Sequence, residues 1–228
     1  MKKMRENILS IFLTSVFMIP TAFSSESAVA EEGGAISYNI GYMSEYWYRG
    51  VHQSDSAVSF GADYEVGGFY LGTWWADVDT GLEHDYYGGY AFSAMGMDMY
   101  AGFTGYYYTD NFDSDYEEFN FGVAMGPIAV DFADGNYDGS SVTDTGYTFT
   151  SVALDLAMVG LPMTLTAGYW GGDSSLKGNL YTLDYGTTVS GVDVGLQIGR
   201  NDDDITQGSR GASSVDTTFA VFSLGYSF

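Results

Sequence analysis

Val192-Asp193-Val194-Gly195-Leu196-Gln197-Ile198 sets an aliphatic residue at every second position and a small or polar one between. A period of two belongs to an extended strand, where successive side chains point to opposite faces. One face here is oily; the other carries a carboxylate, an amide and bare backbone. The same division runs outward in both directions. Tyr181, Leu183, Tyr185 and Val189 oppose Asp184, and Thr218, Ala220, Phe222, Leu224, Tyr226 and Phe228 end the chain. Toward the N-terminus, Val152, Leu154 and Leu156 face away from Ser151, Ala153 and Asp155. Ile128, Val130 and Phe132 oppose Asp131; Phe119, Phe121 and Val123 oppose Glu118; Met97, Met99, Ala101 and Phe103 oppose Asp98. Val58, Phe60, Ala62 and Tyr64 oppose Asp63, and Ile36 to Tyr42 open the series. About twelve such runs fill residues 31–228.

The connections between runs alternate in length. Glu65–Gly68, Ser93–Gly96, Met125–Pro127, Ala157–Pro162 and Ser190–Gly191 are tight. Arg49–Ser56, Ala76–Asp85, Thr109–Glu117, Asp134–Gly146, Gly171–Asn179 and Asn201–Ser214 are longer and polar. Short turns on one side and long loops on the other are the habit of outer-membrane β-barrels. An even strand number returns both termini to the short-turn, periplasmic side.

Residues 1–30 read as a secretory signal peptide. Lys2, Lys3 and Arg5 precede the apolar stretch Ile8–Ile19, and Ala28-Val29-Ala30 is a small-residue cleavage site. An N-terminal anchor is the alternative, but twelve apolar residues are too few for a bilayer core of about 30 Å. Residues 31–228 then form one domain. No later segment is apolar enough for a spanning helix, so a membrane form must be a closed barrel, which pairs every backbone group without water. The chain has no cysteine, which excludes disulfides, zinc thiolates and thiol nucleophiles. Its formal charge is −23, a balance that repels nucleic acid. Disordered acidic chains are poor in aromatics, whereas 20 Tyr, 15 Phe and 4 Trp occur here. A soluble β-sandwich also alternates. The aromatic and alanine-rich oily face, with few large aliphatics, and the aromatic last strand count against it.

Ser44-Glu45-Tyr46-Trp47-Tyr48-Arg49-Gly50-Val51-His52-Gln53-Ser54-Asp55 resembles the opening motif of the TorF family of porin-like proteins, the Gcw_chp type. Gly68-Phe69-Tyr70-Leu71-Gly72-Thr73-Trp74 and Tyr87-Gly88-Gly89-Tyr90 resemble the family pattern at similar spacing. The likeness is sharpest over residues 35–92 and continues as a strand-and-loop rhythm to Phe228. It implies an outer-membrane barrel and a channel, and names no substrate. The terminal Tyr226 and Phe228 resemble the aromatic signal by which the barrel-insertion machinery recognises its clients.

Catalysis finds little support. There is no G-x-S-x-G elbow, and His52 and His84 read as solvated residues near loop tips. Asp134-Gly135-Asn136-Tyr137-Asp138-Gly139 matches the first half of a calcium loop, with Asp134, Asn136 and Asp138 as oxygen donors, but Thr145 replaces the bidentate Glu. Bound Ca²⁺ is therefore the one cofactor to consider, and a solvated acidic loop is the plainer account. Alternation sends Asp63, Asp98, Glu118, Asp131, Asp155, Asp184 and Asp193 inward, with Arg49 the only basic residue near the strands of the first two-thirds. A ring of like carboxylates favours cations. Inward Trp74, Tyr100 and Tyr106 could instead plug the lumen.

The expected fold is an all-β, transmembrane, antiparallel up-and-down barrel in the outer membrane of a Gram-negative bacterium, surrounded by lipid. The expected function is passive diffusion of small hydrophilic solutes, cations preferred. A non-conducting structural or surface-binding barrel is the second reading, and a lipid-modifying barrel enzyme the third.

Overall fold

The computed structural model describes residues 34–139, 145–173, 177–202, 205 and 217–228. The expected signal peptide and its cleavage site lie outside them. The strands are β1 (Ala35–Met43), β2 (Tyr46–Tyr48), β3 (Val51–Ser54), β4 (Ala57–Val66), β5 (Phe69–Asp77), β6 (Leu82–Ala94) and β7 (Met97–Tyr108). They continue with β8 (Asp115–Met125), β9 (Ile128–Asp138), β10 (Thr145–Asp155), β11 (Met163–Gly172), β12 (Gly178–Val189), β13 (Val192–Asn201) and β14 (Thr217–Ser227). β1 and β4 through β14 close a barrel, each strand antiparallel to its neighbours, and β1 seals the seam against β14. These are the twelve alternating runs. β2 and β3 form a separate two-stranded hairpin.

Tight turns hold the short-turn rim together. Gly67-Gly68, Met95-Gly96 and Ser190-Gly191 all have positive φ at both positions. That is the primed turn whose twist matches the flanking strands. Between β10 and β11 a 3₁₀ turn, Leu156–Val159, does the same work, capped by the Asp155 carboxylate accepting from the Ala157 N–H at 2.8 Å. At the seam, Phe228 and Tyr38 exchange backbone hydrogen bonds of 2.9 and 3.0 Å, and their rings stack.

The outward face is oily over its whole circumference. Ile36, Phe69, Phe119 and Ile198 are each about 60% exposed in the isolated chain, the apolar band that a transmembrane barrel turns to lipid. The inward face shows a gradient instead. Along β4, Ala57, Ser59 and Gly61 are buried, while Asp63 and Glu65 are partly open. Along β12, Leu180 and Thr182 are buried, Asp184 is intermediate and Thr188 is exposed. The long-loop half of the lumen is filled. The short-turn half is a cup.

Candidate functional site: a hairpin in the lumen

What fills the outer half is the β2–β3 hairpin. The sequence reading placed Arg49–Ser56 outside as a polar loop, and the structure corrects this. Twelve strands enclose more than the eight that side chains alone can fill, and the space holds a whole hairpin. Its tip, Arg49-Gly50, is another two-residue turn with both φ positive. Three consecutive aromatics anchor it. Trp47 stacks on Phe219 with centroids 4.2 Å apart, Tyr46 meets the edge of Trp74, and Tyr48 packs on Tyr106 and Trp170. The anchors thus lie on β5, β7, β11 and β14, strands from all around the barrel.

Arg49 is buried at the tip and forms a two-pronged ion pair with Glu118 on β8, both N–H···O distances being 2.9 Å. Glu118 also accepts from Tyr106 Oη at 2.7 Å, Asn120 Nδ2 at 2.7 Å and Tyr147 Oη at 3.1 Å. The guanidinium lies over the rings of Tyr48, Phe149 and Trp170, 4.7–5.6 Å from their centroids. Burial alone would push its pKa down; the Glu118 carboxylate more than offsets this, so the group stays protonated. Backbone contacts complete the seat. Trp170 Nε1 donates to the Arg49 carbonyl at 2.8 Å, and Asn201 Nδ2 donates to the Gly50 carbonyl. A buried charge is tolerable only when so paired and hydrogen-bonded.

Two fully buried inward acids escaped sequence reasoning. Glu83 and Asp85 on β6 are fully buried near the hairpin's root, where Tyr46 Oη donates to Glu83 at 2.6 Å. They fell within the supposed loop Ala76–Asp85. Extending the Tyr87 alternation backwards by two steps would have found them.

The other expected inward acids separate into levels. Asp131 is buried and accepts from Tyr100 Oη at 2.9 Å. Asp63 accepts from Tyr87 Oη at 2.5 Å and from Asn39 Nδ2 at 3.4 Å. Asp184 holds Thr182 and Gln197, Asp98 accepts from Ser93, and Asp193 accepts from Thr188. Asp98, Asp155 and Asp193 lie beside the short turns. Among the described residues the basic side chains are Arg49, Lys177 and Arg200; of these, only Arg49 enters the lumen.

Three further expectations are corrected. Asp134, Asn136 and Asp138 lie in β9, not in a loop, and alternation points them outward. A straight strand spaces such residues too widely to encircle one ion as a calcium loop does. His52 is buried in the hairpin, edge-on to Trp47. His84 faces outward in β6 between the rings of Trp75 and Tyr107. Neither is a solvated tip residue, because hairpin and strand both extend further than the polar composition implied. Tyr226 and Phe228 are exposed on the outward face at the seam.

The sequence profile of a family described as "Bacterial protein of unknown function (Gcw_chp)" matches residues 27–228. The chain belongs to the Gcw_chp family. None of the curated proteins compared matches this Gcw_chp chain in sequence. Among solved structures it is similar to the KdgM porin, with a TM-score of 0.53 at 10% identity, over 85% of this chain and 98% of that one. It is also similar to Pseudomonas aeruginosa OpdK, solved with vanillate, with a TM-score of 0.44 at 13% identity over 77% of this chain. P. aeruginosa OccD3 (OpdP) gives 0.47 at 12% identity, over 87% of this chain and 66% of that one. This Gcw_chp chain spans 57% of the length of OpdK. The likeness to KdgM shows a shared fold, the closed antiparallel β-barrel; the segment Ser44–Asp55 that carries the family resemblance is the lumenal hairpin.

Proposed function

We propose that the protein is an outer-membrane channel for small hydrophilic solutes with a preference for cations, throttled by the β2–β3 hairpin. One observation carries the reading. The inward face holds Asp63, Asp98, Asp131, Asp155, Asp184 and Asp193, while Arg49, the single inward cation among the described residues, is neutralised by Glu118. A wall of fixed carboxylates around water draws cations and repels anions. The residue 1–30 leader and the Tyr226/Phe228 terminus fit export and insertion by the barrel-assembly machinery. The periplasmic cup gives solutes an entrance, and the hairpin narrows the exit.

Reconstitution in a planar bilayer under a KCl gradient tests this. The expected result is a small conductance with a cation-selective reversal potential. Anion selectivity would refute the preference, and a silent barrel would refute the channel. The filled outer half favours a second reading, a closed structural or surface-binding barrel, and the silent outcome would establish it.

A further inference from the structure

We propose that the throat of the channel is the cleft between the hairpin tip and the wall of β8–β10, and that it binds and passes one small, largely dehydrated cation at a time. This deepens the channel reading and rests on it.

The cleft is lined by Arg49, Tyr100, Asn120, Asp131, Phe149 and Ser151. It lies where the filled outer half meets the acidic cup, so a solute crossing from one to the other must skirt the hairpin somewhere, and a gap is present here. It is about the size of one water molecule. Small side chains make that room. Ala129, Ala133 and Ala153 face inward on β9 and β10, and Gly122 on β8 carries the Tyr100 ring where a Cβ would collide with it.

The polar atoms in this gap are incompletely used. Ser151 Oγ and Arg49 Nε are both buried, and neither has a hydrogen-bond partner. Buried polar groups left unmade are rare and ordinarily mark a water, ion or ligand. The hydroxyl oxygen of Ser151 can accept from a water or ligate a cation directly. Arg49 Nε–H can donate to a water in the gap when no cation occupies it. The charge balance decides the sign: Glu118 cancels Arg49, so the Asp131 carboxylate sets the local field, and it is negative. Tyr100, donating to Asp131 Oδ1, fixes that carboxylate against the wall rather than across the gap.

The chain has no cysteine, so a single introduced thiol is the only target for a thiol reagent. The test uses the refolded barrel in planar bilayers in KNO3, with its heat-dependent mobility shift in electrophoresis confirming the folded state. Ag⁺, a thiol-reactive monovalent cation about as small as K⁺, is applied to Ser151→Cys, to the wild type, and to Thr188→Cys in the open cup. Most of the Ser151→Cys current should be lost, with the wild type unaffected. Asp131→Asn should move the reversal potential toward that of a non-selective pore. An undiminished Ser151→Cys current, or an unmoved reversal potential in Asp131→Asn, overturns the throat while leaving the channel reading intact. A wild type without any current overturns both.

Discussion

Replacing Glu118 by Gln should release the hairpin while leaving the barrel closed. The substitution keeps the size of the side chain and removes its charge. Arg49 then remains 7% exposed without its ion-pair partner, its guanidinium still held among Tyr48, Phe149 and Trp170. Leaving one member of a buried pair unmatched costs about 3–5 kcal/mol. The barrel wall has no cheap way to relieve that cost, because its ladder is continuous and β1 pairs with β4 over nine residues without help from the hairpin. The hairpin does have a way: it can leave the lumen and carry Arg49 into water. With tenfold for each ~1.4 kcal/mol, its seated-to-released ratio should fall by roughly two to three and a half powers of ten. Two assays read this. Conductance should rise several-fold over the wild type, and trypsin should cut after Arg49, which the seated turn protects. The double variant Arg49→Met, Glu118→Gln removes both charges and should return most of the closure, since a buried pair exchanged for neutral groups is often near neutral in energy. A folded Glu118→Gln barrel with unchanged conductance and no cleavage at Arg49 would refute the idea that the Arg49–Glu118 pair holds the hairpin in the lumen.

Smaller changes at the same seat should grade the response. Trp170→Phe deletes the donor to the Arg49 carbonyl and should weaken seating by about 1 kcal/mol, giving partial trypsin cleavage between wild type and Glu118→Gln. Gly50→Val places a branched side chain at φ +83, against Leu180 and Asn201; a strained backbone of this kind costs about 1–3 kcal/mol, and the same cleavage assay should show the release. Deleting Phe228 removes two seam hydrogen bonds and the stack on Tyr38, so the barrel should lose its mobility shift at a lower temperature than the wild type. Tyr100→Phe leaves Asp131 without the 2.9 Å hydroxyl donor and should alter ion selectivity more than stability, as reversal potentials compared with chemical melts would show.

Alternation determined much of this protein. Lipid rewards an oily side chain on one face of each strand, and an enclosed interior takes the polar one. That sorting is local, so runs such as Val192–Ile198 showed strand, face and barrel together, and turns such as Ser190-Gly191 marked where each hairpin closes. Inward placement of Glu118, Asp131 and Asp184 followed from the same period. The sequence did not say where residues 44–55 go, because a polar and aromatic loop satisfies its backbone equally in outside water or in a wide lumen. Only the tertiary structure decided that. Arg49 and Glu118 stand 69 residues apart in the chain, on a hairpin and a wall strand whose own periods carry no trace of each other. Their meeting depends on the width that twelve closed strands enclose, a property of the ring and of no single segment in it.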